Sequence, residues 1–165
     1  MAVDPFAPHR QPGEPGSPRV LLVDDDVSTT SVLTARLRRA GFEVHRADHV
    51  ERAAFLLAHL RFAVVVTDLN LSGGFDFSGL DLCQHVRRNH AGTRVVLLTG
   101  ATTRLVETEA RRLGLNAVLY KPCPAAQVVG LVRQLCEGAR RLLFEALPPR
   151  PETLSRAARD LALAG

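Results

Sequence analysis

The feature that most narrows the fold is an alternation of short apolar runs with longer amphipathic stretches from residue 19 onward. The runs at 20–23, 63–67, 95–98 and 117–120 are nearly continuous in Val, Leu and Ala. Strands covered on both faces read this way. Residues 42–47 alternate apolar and polar side chains and read as a further strand. Helical spacing lies between them. Residues 28–40 put Val32, Leu33, Leu37 and Ala40 on one face, and 50–60 do the same with Ala53, Ala54, Leu57 and Leu60. Further helices read at 80–89 and 103–113, with Gly41 and Gly114 placed to end two of the four. A helix starting at Pro124 carries Val128, Leu131, Val132 and Leu135 and runs on past Leu143 until Pro148 and Pro149 break it. Strands joined through helices require right-handed crossovers. The chain is therefore expected to be an α/β protein: a doubly wound, parallel five-stranded sheet with helices on both faces.

The chain's 165 residues supply one core with tails. Residues 1–18 hold five prolines and read as a flexible leader. The domain is expected over 19–138. Residues 139–165 read as a helical C-terminal extension, too short for an output domain and apolar enough to pack on the domain or to leave a homodimer through these helices open. A hydrophobic fraction of 46% excludes a wholly disordered chain. No apolar run approaches the ~20 residues that span a bilayer, and the N-terminus lacks a signal-peptide stretch, so no membrane contact and a cytoplasmic location are expected. Cys83, Cys123 and Cys136 lack the paired spacing of a disulfide framework or a zinc site. The net charge of +4 comes from arginine pairs scattered over helices, and with one Tyr and no Trp there is little to stack on bases. Nucleic acid is thus not the expected partner. Of the 21 basic residues only one, Lys121, is a lysine.

Parallel strands share a direction, so their carboxyl ends line one edge, where open α/β sheets bind ligands. The first strand ends in Asp24, Asp25 and Asp26, the third in Asp68, the fourth in Thr99 and the fifth in Lys121. Clustered carboxylates repel one another unless a cation joins them. An all-oxygen set suits Mg²⁺, which keeps coordination places for phosphate oxygens. A lysine and a threonine suit the remaining phosphoryl oxygens, and an aspartate can be the nucleophile. The constellation reads as metal-assisted phosphoryl transfer onto a carboxylate. Asp26 reads equally well as a cap on the first helix.

These residues resemble the receiver domain of two-component response regulators, in its stand-alone, chemotaxis-type form. The resemblance rests on VLLVDDD (20–26), VVVTDLNL (64–71), VVLLTGA (95–101) and VLYKP (118–122), in order and over about residues 19–138. It implies the flavodoxin-like (βα)5 fold. It implies that Asp68 accepts a phosphoryl group from a histidine kinase or a histidine phosphotransfer protein. It also implies that Asp24, Asp25, Asp68 and the backbone carbonyl of Asn70 hold Mg²⁺, with Thr99 and Lys121 as the switch residues. Such a protein is a switch that signals through protein–protein contacts, not an enzyme with its own turnover. Three departures stand out. Val118 occupies the position three before the lysine, where the family often has an aromatic. The loop at 72–79 is long and begins with Ser72 where proline is common. No output domain is recognisable. Two other readings remain: a haloacid-dehalogenase-like phosphatase using Asp24 as nucleophile, which leaves Asp68 without a role, and a receiver that serves as an unphosphorylated scaffold.

Overall fold

The computed structural model describes residues 16–71, 79–100 and 104–137. In chain order these form β1 (Arg19–Val23), α1 (Val27–Arg39), β2 (Glu43–Ala47), α2 (Val50–His59), β3 (Val64–Asp68), α3 (Gly79–Asn89), β4 (Arg94–Thr99), α4 (Arg104–Arg112), β5 (Ala117–Tyr120) and α5 (Ala125–Cys136). The five strands form one sheet in the order β2-β1-β3-β4-β5, and every pairing is parallel. This is the expected (βα)5 architecture. The predicted continuation of the last helix, the extension over 139–165 and most of the 72–79 loop lie outside the described residues.

Successive strand residues point to opposite faces, and both faces are covered. Leu21, Val23, Val65, Val95, Leu97 and Val118 pack against residues of α2, α3 and α4. Val20, Leu22, Val64, Val66, Val96 and Leu98 pack against α1 and α5. Each fully buried Leu or Val contributes roughly 1.5–3 kcal/mol of burial free energy, which is why the middles of β1, β3, β4 and β5 are apolar.

Local signals set the helix limits. Asp26 caps α1: its Oδ1 accepts from the backbone N–H of Ser28 at 2.8 Å and of Thr29 at 3.3 Å, and Oδ2 accepts from the Thr29 hydroxyl at 2.7 Å. At the other end Gly41, with φ of 93°, takes the left-handed conformation that closes the helix. The phase of two helices differs from the sequence reading. On α1 the buried stripe is Thr30, Leu33, Thr34 and Leu37, while Val32 is 56% exposed. Thr30 sits in the buried stripe with its hydroxyl bonded back to the carbonyl of Asp26 at 3.0 Å, whereas the buried Thr34 hydroxyl has no hydrogen-bond partner. On α2 the buried residues are Ala53, Leu56 and Leu57, with Ala54 and Leu60 only partly covered.

Candidate functional site at the carboxyl edge

The strand order reverses at β1: the chain steps outward to β2, then crosses back to β3 on the other side. Reversal opens a crevice between β1 and β3 because their following loops diverge. Register then fixes what faces it. Val23 pairs with Thr67, so Asp24 follows beside Asp68; Asp68 pairs with Leu98, one residue before Thr99; and Thr99 pairs with Tyr120, one residue before Lys121.

Asp24 is buried, yet both of its carboxylate oxygens are used. Oδ1 accepts from the backbone N–H of Asp26 at 2.9 Å, and Oδ2 from the Lys121 ammonium at 2.9 Å. The same ammonium lies 3.2 Å from Asp68 Oδ1. Lys121 thus bridges two carboxylates that belong to strands remote in sequence, and its own backbone N–H is fixed by the Thr99 carbonyl at 2.8 Å. Burial opposes the lysine's charge, but the hydrogen bonds to Asp24 and Asp68 outweigh it and hold its pKa above the ordinary value.

Among the described residues, one group of acidic side chains could hold a metal ion. An oxygen from each of Asp24, Asp25 and Asp68 lies within 4.8 Å of the others, with Asp25 exposed and its two neighbours buried. The donors are all hard oxygens, the set that fits Mg²⁺ or Ca²⁺ rather than a soft metal. Asn70, two residues past Asp68, is exposed at the mouth of the crevice, and Thr99 is fully buried at the end of β4. Asp26 sits beside the group but spends its carboxylate on α1. The Thr29 hydroxyl, followed by the Thr29 and Ser28 N–H groups, holds its pKa below the ordinary range.

Two features were not legible beforehand. Val118 is buried against the α2–α4 layer, and the aromatic ring next to the lysine belongs to Tyr120, whose hydroxyl donates to Glu107 of α4 at 3.4 Å. An apolar groove of about 490 Å³ opens between α1 and α5, lined by Val32, Leu33, Leu98, Lys121, Cys123 and Val128. Lys121 forms the border between this groove and the carboxylates. Val27 and Val32 stand exposed on α1, at 65% and 56%.

The response regulator receiver domain family matches residues 20–133 of the chain. The photosynthetic apparatus regulatory protein RegA of Rhodobacter capsulatus is 31% identical over 92% of this chain and 74% of its own length. The DNA-binding response regulator MtrA of Mycobacterium leprae is 32% identical over 70% of this chain, which spans only 49% of MtrA. The crystal structure of a response regulator receiver protein from Pseudomonas putida superposes with a TM-score of 0.66 at 27% identity, covering 73% of this chain and 98% of that one. DNA binding is named for MtrA, a protein about twice as long as the part matched here.

Proposed function

Because the chain belongs to the response regulator receiver family, whose members are phosphorylated on an aspartate in two-component signalling, we propose that Asp68 is its phosphoacceptor. The observation that carries this reading is the Lys121 ammonium, 2.9 Å from Asp24 and 3.2 Å from Asp68, at the rim of a three-carboxylate cluster. A histidine kinase or a histidine phosphotransfer protein supplies the phosphoryl group. A carboxylate oxygen of Asp68 forms the new O–P bond as the P–N bond to the donor imidazole breaks, and the imidazole leaves with the electron pair. Mg²⁺ held by Asp24, Asp25, Asp68 and the Asn70 carbonyl supplies charge neutralisation on the phosphoryl oxygens when bound. Lys121 takes one phosphoryl oxygen through its ammonium, and the Thr99 hydroxyl donates to another. Ordering around the phosphoryl group shifts the balance between two arrangements of the α4 and α5 region, and a protein partner in the cytoplasm reads the result. The phosphatase reading with Asp24 as nucleophile leaves Asp68 without a role.

The donor has to reach Asp68 from a surface that borders the crevice. The groove between α1 and α5 does so through Lys121, and its exposed valines suit an apolar helical face on the donor. The test is incubation with Mg²⁺ and acetyl phosphate, read by intact mass. One phosphoryl group is gained by the natural chain and none by Asp68→Asn. A chain that gains nothing, or a variant that gains as much, removes Asp68 from this role.

A further inference from the structure

Transfer to a carboxylate depends on where that carboxylate's backbone is held, and Asp68 is the last residue of β3. Two residues from different elements close on its peptide oxygen. The hydroxyl of Thr67, fully buried, donates to the Asp68 carbonyl oxygen at 3.0 Å. From the other side comes Gly79, the first residue of α3. A Cβ built there would stand 1.9 Å from the same oxygen, roughly 1.5 Å inside ordinary contact, and 2.9 Å from Leu69 Cα. The Gly79 N–H donates to the Leu69 carbonyl at 2.8 Å, and the Leu69 N–H donates to the Leu98 carbonyl of β4 at 2.9 Å. The start of α3 is therefore laid against the acceptor's peptide, and that peptide is tied to the central sheet.

We propose that Thr67 and Gly79 are positioning residues for phosphoryl transfer: they clasp the Asp68 carbonyl and so set the aim of its side chain. The proposal rests on Asp68 being the acceptor. Its physical basis is that in-line transfer is steep in geometry, a misplacement of ~1 Å being worth ~100-fold in rate. Leu69 and Gly79 are themselves bonded to each other next to Asp68.

The experiment compares initial rates of modification by acetyl phosphate and Mg²⁺ for the natural chain, Thr67→Val, Thr67→Ser and Gly79→Ala, with a melting curve for each. Thr67→Val keeps the volume and removes the donor; its rate should fall about fivefold, and Thr67→Ser, which restores a hydroxyl, should recover to within about twofold. Gly79→Ala should lose at least about tenfold while still melting cooperatively. If Gly79→Ala does not fold, the threonine pair decides alone. Thr67→Val modified at the natural rate, or Thr67→Ser no faster than Thr67→Val, overturns the proposal. Absence of modification in the natural chain is distinguishable from either result and removes the acceptor reading together with this one.

Discussion

The amino-terminal and carboxyl-terminal edges of the sheet are made from the same strands, yet their polar groups are disposed differently. At the amino edge polar side chains meet matched partners, the buried Ser17 hydroxyl excepted. Glu43 accepts from Arg19 at 3.0 Å and pairs with His45 at 2.8 Å. The Thr93 hydroxyl donates to the Phe62 carbonyl at 2.9 Å, and Asn116 Oδ1 accepts from the Val95 N–H at 2.8 Å. These bonds knit the loops that enter β3, β4 and β5. At the carboxyl edge three carboxylates gather, and the two buried ones, Asp24 and Asp68, share one lysine. Grouping like charges in this way costs stability in the absence of a cation. One edge is arranged for the fold's benefit, and the other carries a cost whose return is a bound ion and a phosphoryl group.

The sharpest way to break this contrast is Asp25→Asn. It should abolish any rise in melting temperature caused by Mg²⁺ and make the metal-free protein more stable by about 1 kcal/mol, the repulsion of two carboxylates ~4 Å apart in water. A metal-free variant that melts lower, or one that still responds to Mg²⁺, would show that the carboxyl edge is not a strained cation site. Next comes Val32→Asp, which places a charge at the apolar groove. Phosphotransfer from a cognate kinase should slow by about tenfold while modification by acetyl phosphate is unchanged. At the opposite edge, Asn116→Ala leaves the Val95 N–H without its acceptor. Denaturant titration should show a loss of about 1–3 kcal/mol with the Mg²⁺ response intact.

The smallest effect belongs to Glu43→Gln. Its carboxyl pKa is held low by the hydrogen bond with His45 and then by Arg19. A folded-state pKa below the unfolded one adds stability that is present above the unfolded value and disappears as pH falls through the folded one. The pair is partly exposed, so the contribution is under about 1 kcal/mol. Melting curves of Glu43→Gln should match the natural chain below the carboxylate range and fall slightly short of it at neutral pH.

How much of this was written in the sequence follows from where the signals are local. The four strand ends were legible because a strand buried on both faces must stay apolar until it leaves the core, so Asp24, Asp68, Thr99 and Lys121 mark the exits. The convergence of those exits follows from parallel pairing alone. The phase of α1 was not legible, because Thr30 and Thr34 look polar and yet lie in the buried stripe, displacing Val32 to the surface. Nor was the approach of Gly79 to the Asp68 carbonyl, since a glycine at the end of a glycine-containing loop gives no sign of what it touches across the fold. Tyr120 escaped notice for a related reason. The sequence shows an aromatic missing at Val118 but cannot show that one placed next to Lys121 reaches α4.

That tyrosine gives the molecule a built-in lamp. The chain has one Tyr and no Trp, so its intrinsic ultraviolet emission comes chiefly from a single phenol, whose hydroxyl contacts the Glu107 carboxylate. Carboxylates quench phenol light, so any rearrangement that parts Tyr120 from Glu107 will brighten the protein and can be followed in real time without a dye.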